Sequence, residues 1–256
     1  ADEHCALNIC LYGGGQGRWT MTERGARHVR RSAQRFDVGP SRMAWEDGAL
    51  VVDIDEVANP LPRRVRGRVT VRPQALVDFV AAIDGEGRHR WGPIAPCARV
   101  EVELDSPGLR WQGSAYLDSN EGDEPIERPF RRWDWCRATL EDGSTAVIYD
   151  LQPREGADRV IARRFAPDGT HAELPAPPVH PLPRSAWRIA RTMRSDAGVP
   201  PRIAQQLEDT PFYQRALVDA SLGGRPVCAV HESLDLPRLE SLPVRLMLPF
   251  RMPRRA

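Results

Sequence analysis

Residues 88–124 read RHRWGPIAPCARVEVELDSPGLRWQGSAYLDSNEGDE, and this stretch is the most informative part of the chain about its fold. It divides into three runs of extended character, separated by proline- and glycine-containing breaks. In residues 98–104, alanine, valine and leucine alternate with arginine and glutamate. A repeat of two residues is typical of a strand with one buried face, so the stretch predicts three consecutive β-strands.

The two ends of this stretch carry the candidate site. His89 and Trp91 lie two residues apart in the first run, and Tyr116 and Asp118 lie two apart in the last. Because side chains on a strand alternate between its faces, the members of each pair share a face. If both faces line one cavity, an imidazole, a carboxyl group and two aromatic rings meet there. The polar face of residues 109–118 either lines such a cavity or faces water, and periodicity leaves both readings open.

Short strands joined by turns account for most of the remaining chain. Turn sequences rich in glycine and aspartate predict hairpins at residues 13–17, 46–48, 141–144, 167–169 and 222–224. The first of these is not a phosphate-binding loop, because no Gly-Lys-Ser/Thr sequence follows it. Residues 75–83 suit either a short helix or a strand, and the turn that follows them favours a strand. The prolines of residues 175–183 predict a connection rather than a central strand.

The predicted fold is therefore all-β with little helix, built as two barrels or sandwiches. A boundary is expected near residues 124–129. It separates an N-terminal domain, residues 1–126, which holds the candidate site, from a C-terminal domain, residues 127–256.

Composition excludes several classes of function. The net charge is +1 over 256 residues, so no overall field favours nucleic acid as a partner. The five cysteines show no zinc spacing, and the acidic loop that begins at Asp118 fails the calcium-loop pattern, so no metal is expected. No apolar run is long enough to cross a membrane, and no nucleophile elbow is present.

Six longer motifs occur along the chain: LNICLYGGGQGRWTMTERG (7–25), RHRWGPIAP (88–96), AYLDSNEGDEPIERPFRRWDW (115–135), LEDTPFY (207–213), AVHESLDL (229–236) and MLPFRMPR (247–254). Together they resemble one known family, the bacterial carotenoid 1,2-hydratases, also called hydroxyneurosporene synthases. The resemblance implies two tandem lipocalin-like β-barrel domains. It also implies cofactor-independent addition of water to the C1–C2 double bond of acyclic carotenoids such as neurosporene or lycopene. The family's four catalytic residues fall on His89, Trp91, Tyr116 and Asp118.

The implied chemistry assigns a role to each residue of that set. Protonation of the alkene at C2 leaves a tertiary cation at C1, which water captures. Asp118 is the expected proton donor, provided that burial keeps it protonated. His89 is expected on the water side, although the reverse division of roles is open. Trp91 and Tyr116 are expected to stabilise the cation through their ring faces.

Three further expectations concern an alternative function, the cellular location and the start of the native chain. The alternative to an enzyme is a lipocalin-like carrier that binds a carotenoid or lipid and does no chemistry. Because a carotenoid partitions into lipid, we expect peripheral contact with the cytoplasmic side of the bacterial inner membrane, through exposed apolar residues or residues 245–255. Members of the family usually begin earlier than this chain, so we expect a native segment before residue 1. The sequence does not predict an oligomeric state.

Overall fold

The structure is a computed structural model that describes residues 4–13 and 17–255. Most of these residues form β-strands, and the strand pairs are antiparallel except for β22 with β4. In chain order the strands are β1 (His4–Cys5), β2 (Ile9–Leu11), β3 (Arg18–Thr20), β4 (Glu23–Gly25), β5 (Val29–Arg31), β6 (Arg35–Val38), β7 (Ser41–Glu46), β8 (Ala49–Val57), β9 (Arg64–Pro73), β10 (Ala81–Ala82), β11 (His89–Ser106), β12 (Leu109–Gly122), β13 (Phe130–Thr139), β14 (Thr145–Pro153), β15 (Arg159–Phe165), β16 (His171–Glu173), β17 (Val179–Leu182), β18 (Arg191–Arg194), β19 (Arg202–Asp209), β20 (Tyr213–Leu222), β21 (Arg225–Asp235) and β22 (Arg254–Arg255).

Helical structure within the described residues is confined to one 3-10 turn (Ala26–His28) and two helices near the C-terminus, α1 (Leu236–Leu239) and α2 (Leu242–Arg251). The Asp235 side chain caps α1 by accepting a hydrogen bond from the backbone N–H of Arg238 at 3.2 Å. The prediction of a mostly β protein with little helix is confirmed. Two lipocalin-like barrels stay a prediction.

The chain divides into two compact units, neither of which is continuous in sequence. Unit 1 comprises residues 1–73, 98–115 and 245–256, and unit 2 comprises residues 74–97 and 116–244. The predicted boundary at residue 126 is not a limit of either unit, and the division of the protein into domains at that point stays a prediction.

Unit 1 is organised around an antiparallel sheet in which the part of β11 from Ala98 onward is followed by β9, β8, β7, β6 and β5. Its core is aliphatic and comprises Ile54, Val65, Val100, Val102 and Leu104. The buried polar side chains of this unit include Arg24 and Glu56, which form an ion pair of 2.7 Å. β2 pairs with β3, which confirms the first predicted hairpin, although residues 14–16 of its turn lie outside the described residues.

Unit 2 contains a seven-stranded sheet in the order β16-β15-β14-β13-β21-β20-β19. Alternate residues of its strands enter two separate apolar clusters. Cys136 and Ile148 belong to one cluster, whereas Val147 and Tyr149 belong to the other. Trp91 packs in the second cluster, so the candidate site lies on that face of the sheet.

Two predictions for the central stretch are wrong. Residues 88–124 form two long strands rather than three, because β11 continues without a break from His89 to Ser106. The prolines at 93 and 96 do not end this strand. The backbone N–H groups of Gln74 and Val77, in the neighbouring segment, donate to the carbonyls of Cys97 and Ile94, and these hydrogen bonds do not require an N–H from either proline. Residues 75–83, which lie beside these prolines, form neither a helix nor a full strand. Within this segment only β10 pairs with β11, because Pro93 and Pro96 on the opposite strand have no N–H to donate to a regular ladder of hydrogen bonds.

The proline-rich connection also differs from the prediction. It contains β17, which pairs with β18 in a two-stranded sheet. A two-stranded ribbon has only edge strands, and an edge tolerates a proline whose missing N–H would face outward.

Candidate active site

The carboxyl group of Asp118 is the centre of the candidate site. The indole N–H of Trp91 donates a hydrogen bond to Asp118 Oδ2 at 2.9 Å, and the Tyr116 hydroxyl donates to the same oxygen at 3.1 Å. Trp91 comes from β11, whereas Tyr116 and Asp118 lie two residues apart on the neighbouring β12. The structure thus brings three of the four candidate residues into direct contact, as the strand periodicity requires for the second pair.

Burial controls the electrostatics of this group. It raises the pKa of Asp118, because a carboxylate loses hydration in an apolar surrounding. The hydrogen bonds from Trp91 and Tyr116 and the positive charge of Arg137 oppose that rise without cancelling it. Burial, followed by the charge of Asp118, raises the pKa of the Tyr116 hydroxyl, so Tyr116 remains a hydrogen-bond donor.

Aromatic rings surround Trp91 on several sides. Its side chain has no exposed surface, and its ring meets Phe79, Tyr149 and Phe165 in edge-on contacts with centroid distances of 6.0, 5.9 and 6.4 Å. Edge-to-face packing of this kind fixes the orientation of the indole. Trp91 is therefore held as a hydrogen-bond donor to Asp118, with its ring faces covered.

Tyr116 is placed differently. Its ring packs against Trp135 at a centroid distance of 5.6 Å, and the guanidinium of Arg137 lies 5.4 Å from its centroid. Trp135 and Arg137 are two residues apart on β13, so both project from the same face of the sheet.

The structure does not bring His89 to Asp118 through a hydrogen bond. His89 Nε2 lies 3.0 Å from the carbonyl oxygen of Glu124, and Nδ1 lies 3.4 Å from Asp84 Oδ2. Both neighbours are acceptors, so a ring nitrogen that carries hydrogen donates to the acceptor beside it. Burial by itself would raise the pKa of Asp84, but the hydrogen bonds from the His89 backbone and ring and from the Arg88 backbone outweigh it and lower that pKa.

The ring of His89 also packs closely against Gly122, at the end of β12. A Cβ atom at this position would lie 2.8 Å from His89 Cδ2, which is closer than real contacts allow. His89 thereby links the turn at Asp84 to the end of β12. In this position it supports the strand that carries Tyr116 and Asp118.

Comparison with known proteins adds the family. The sequence model of the carotenoid hydratase CrtC family matches residues 1–256. The chain belongs to this family.

Three curated relatives of this carotenoid hydratase family member are each described as an acyclic carotenoid 1,2-hydratase. The chain is 62% identical over 255 residues to an acyclic carotenoid 1,2-hydratase of Rubrivivax gelatinosus, and 49% identical over 252 residues to one of Thiocapsa roseopersicina. These alignments cover 100% and 98% of the chain, but only 63% and 62% of the relatives. A third such protein, from Cereibacter sphaeroides, is 40% identical over 253 residues, which cover 98% of the chain and 90% of that relative.

A solved structure supports the fold. A protein of Nitrosomonas europaea described as AttH superimposes with a TM-score of 0.64 over 86% of the chain and 76% of its own length, at 15% identity. This similarity concerns the fold alone.

Sequence reasoning missed three residues of the site in this CrtC-family chain. Asp84 contacts His89, while Trp135 and Arg137 contact Tyr116. Asp84 lies in a turn, and the other two come from a strand that follows the acidic loop, so no local pattern joins them to Asp118. The alternation of Trp133, Trp135 and Arg137 on one face of β13 is the signal that could have pointed to them.

No group of three or more histidine, cysteine, aspartate or glutamate side chains among the described residues is arranged to hold a metal ion. Within the same residues, no helix has the length and apolar character needed to cross a membrane.

Proposed function

We propose that this chain carries the catalytic site of an acyclic carotenoid 1,2-hydratase that needs no cofactor, with Asp118 as the proton donor. The observation that carries the proposal is the double hydrogen bond to a single oxygen of a partly buried carboxyl group. The family and the descriptions of its curated relatives supply the substrate class.

The two hydrogen bonds determine where the acidic proton resides. Oδ2 accepts from both Trp91 and Tyr116, so in the neutral acid the proton belongs on Oδ1. Among the described residues, no side chain donates a hydrogen bond to Asp118 Oδ1. The raised pKa of Asp118 keeps this proton in place at higher pH than an exposed aspartic acid would allow.

The reaction follows from this geometry. Oδ1 transfers its proton to C2 of the alkene, which forms a C–H bond and leaves a tertiary cation at C1. The new carboxylate is stabilised by the same two donors, which are already in position. Water adds its oxygen to C1 and then loses one proton, which returns the carboxylate to its acid form directly or through solvent. One water is consumed, and no electrons are exchanged.

The rings contribute unequally to stabilising the cation. An electron-rich ring attracts a cation over its face, and more strongly where water is excluded. The faces of Trp91 are covered by neighbouring rings, whereas Tyr116 has Arg137 and Trp135 as its ring contacts. We propose Tyr116 for the cation and Trp91 chiefly for the hydrogen bond to Asp118.

His89 remains the proposed partner on the water side, with a condition set by its contacts. To accept a proton from water, it must give up its contact with the Glu124 carbonyl or with Asp84. The other role that fits its contacts is support of β12. The tandem lipocalin-like barrels belong to this proposal as well.

Incubation with lycopene, followed by mass analysis of the extracted pigment, tests the function. We expect a product heavier by one water, and Asp118→Asn should reduce its rate of formation by about 10²- to 10⁴-fold, as loss of a general acid does. Asp123→Asn is the matched control, because this nearby carboxylate pairs with Arg90 at the surface. Binding of lycopene without any hydrated product would instead identify a carrier.

We also propose peripheral contact with an anionic membrane on the cytoplasmic side of the inner membrane. Leu246 and Phe250, one helical turn apart on α2, are 63% and 81% exposed. Residues 242–255 contain four arginines and no acidic residue, a composition that favours anionic lipid. Flotation with vesicles of phosphatidylglycerol and phosphatidylcholine at low salt should carry the protein upward, and Phe250→Ser should weaken this. A protein that stays at the bottom contradicts the proposal.

A further inference from the structure

Arg137 lies next to the proposed acid without belonging to the set found in the sequence. Its guanidinium carbon lies 5.4 Å from the ring centroid of Tyr116, within the range of a cation–π contact. The hydroxyl of the same tyrosine donates to Asp118 Oδ2. Arg137, Tyr116 and Asp118 therefore form a continuous chain of contacts from β13 to β12.

The surroundings of Arg137 differ from those of two other partly buried arginines in unit 2, Arg215 and Arg194. Arg215 pairs with Glu232 at 2.8 Å and Arg194 pairs with Asp150 at 2.8 Å. For Arg137, by contrast, no carboxylate among the described residues lies within 4.0 Å. Burial lowers the pKa of Arg137, which reflects the cost of removing its charge from water.

A buried cation without an ion-pair partner is unfavourable in a resting protein, and it becomes favourable if a negative charge appears beside it. The ionisable groups that act on Asp118 and Arg137 are Tyr116 on β12, Tyr149 on β14, Arg215 on β20 and Glu232 on β21. Tyr116 and Tyr149 are neutral, because burial raises the pKa of each hydroxyl. Glu232 is already paired with Arg215. Asp118 is thus the group whose charge changes during the proposed reaction.

We propose that Arg137 is a positioning residue of this site: it holds the ring of Tyr116 and supplies the fixed positive charge that stabilises the Asp118 carboxylate after proton transfer. This inference rests on the proposed function of Asp118. It explains why a buried arginine is kept beside an acid that must be neutral before the reaction and ionised during it.

The same charge restricts where the substrate cation can form. A fixed positive charge stabilises the carboxylate but repels the carbocation, so it helps only if it lies closer to the carboxylate. We therefore place the reacting end of the carotenoid on the side of Tyr116 that Arg137 does not occupy.

Three variants test the role of the charge. Arg137→Gln introduces a neutral polar side chain and Arg137→Met a neutral apolar one, whereas Arg137→Lys keeps the positive charge. Arg163→Met is the matched control, because Arg163 also lies over an aromatic ring, that of Phe79 at 4.4 Å, yet its charge is not among those that act on Asp118. Carbon NMR of protein labelled at the aspartate carboxyl groups follows the titration of Asp118, assigned by its loss in Asp118→Asn. The rate of lycopene hydration is measured over the same pH range.

We expect both neutral variants to titrate Asp118 at higher pH than the unmodified protein, because the charge of Arg137 opposes protonation of this group. Arg137→Lys should reduce the shift, and Arg163→Met should show none. Hydration by the neutral variants should be slower on its low-pH plateau, while its alkaline limit moves to higher pH. The loss should be smaller than the about 10²- to 10³-fold that removal of a directly bonded donor costs.

A slower rate combined with an upward shift of the alkaline limit is not the result of simple misfolding, which lowers the rate without moving the limit. An Asp118 titration that stays in place in both neutral variants would overturn the role of Arg137. If Asp118 shifts as expected but Asp118→Asn still hydrates lycopene, the proposed acid is wrong while the electrostatic link between Arg137 and Asp118 stands. The two failures are therefore distinguishable.

Discussion

Trp91 and Asp118 are joined by a hydrogen bond of 2.9 Å between a fully buried indole and a partly buried carboxyl group. Because Trp91 has no exposed surface, its N–H donates to Asp118 without competition from water in the native protein. The bond also opposes the rise that burial causes in the pKa of Asp118. We therefore expect Trp91 to contribute to the site mainly through its N–H.

The first prediction concerns this N–H. Trp91→Phe keeps an aromatic ring but removes the donor, so the pKa of Asp118 should rise further and the alkaline limit of hydration should move to higher pH. The ring-based expectation is instead that Trp91→Phe is milder than Trp91→Ala, because phenylalanine keeps a weaker π face for the cation. A pH–rate profile compared with that of Tyr116→Phe, which removes the other donor, separates the two. An unchanged profile in Trp91→Phe would assign the role of Trp91 to its ring.

Trp91→Ala provides the corresponding measure of packing. Removal of a fully buried indole leaves a cavity among Phe79, Tyr149 and Phe165, and such changes cost about 3 to 5 kcal/mol. Thermal unfolding should show this loss of stability in the alanine variant and a smaller one in the phenylalanine variant.

The second prediction concerns the space beside His89. Gly122→Ala places a methyl group 2.8 Å from His89 Cδ2, so the ring or β12 must shift. We expect a loss of about 1 to 3 kcal/mol in the free energy of unfolding, typical of an overpacked site. Gly85→Ala is the control, because a Cβ there meets nothing within 4 Å. Equal stabilities of the two variants would show that the His89 ring has freedom to move.

The third prediction concerns the dependence of stability on pH. His231 is buried with its Nε2 at 2.8 Å from the Thr192 carbonyl and its Nδ1 at 3.0 Å from the amide nitrogen of Gln214, an arrangement that suits the neutral ring. Burial lowers the pKa of His231 in the folded protein. In the unfolded chain a histidine titrates near its ordinary pKa of about 6.5.

The sign follows from linkage. As the pH falls below about 6.5, the unfolded chain takes up a proton that the folded protein excludes, so the stability contributed by neutral His231 is lost, by up to about 1.4 kcal/mol per pH unit until the folded pKa is reached. Denaturant titrations at several pH values should show a flatter dependence in His231→Gln, and no such change in the exposed control His28→Gln. Stability that rises on acidification through this range would contradict the prediction.

The strands were predictable to the extent that they are set by neighbouring residues. β15 ends at Phe165, directly before the hairpin turn predicted at residues 167–169. The extent of β10 was not predictable in this way, since it depends on prolines in the opposite strand. The helices α1 and α2 went unassigned because the tail mixes prolines with apolar residues and arginines, which hides a helical repeat.

For the candidate site, periodicity paired Tyr116 with Asp118, and the structure shows these two side chains in contact. The same argument grouped His89 with Trp91, but a shared face does not imply a shared partner. His89 turns to Asp84 and the Glu124 carbonyl, both of which belong to turns. Arg137 reaches Tyr116 from another strand, and contacts between distant strands leave no trace in a local repeat. The catalytic roles of all these residues stay predictions.

The interleaved course of the chain limits how this protein can be dissected. Four crossings, after residues 73, 97, 115 and 244, separate the pieces of the two units. Two of the crossings fall inside the strands β11 and β12. Any single cut between residues 74 and 244 therefore divides the sequence of unit 2, and no shortened gene made by trimming one end encodes that unit without part of the other. A fragment that contains unit 2 alone would have to be made by circular permutation, or by joining its two pieces through a new loop, rather than by trimming the ends of the chain.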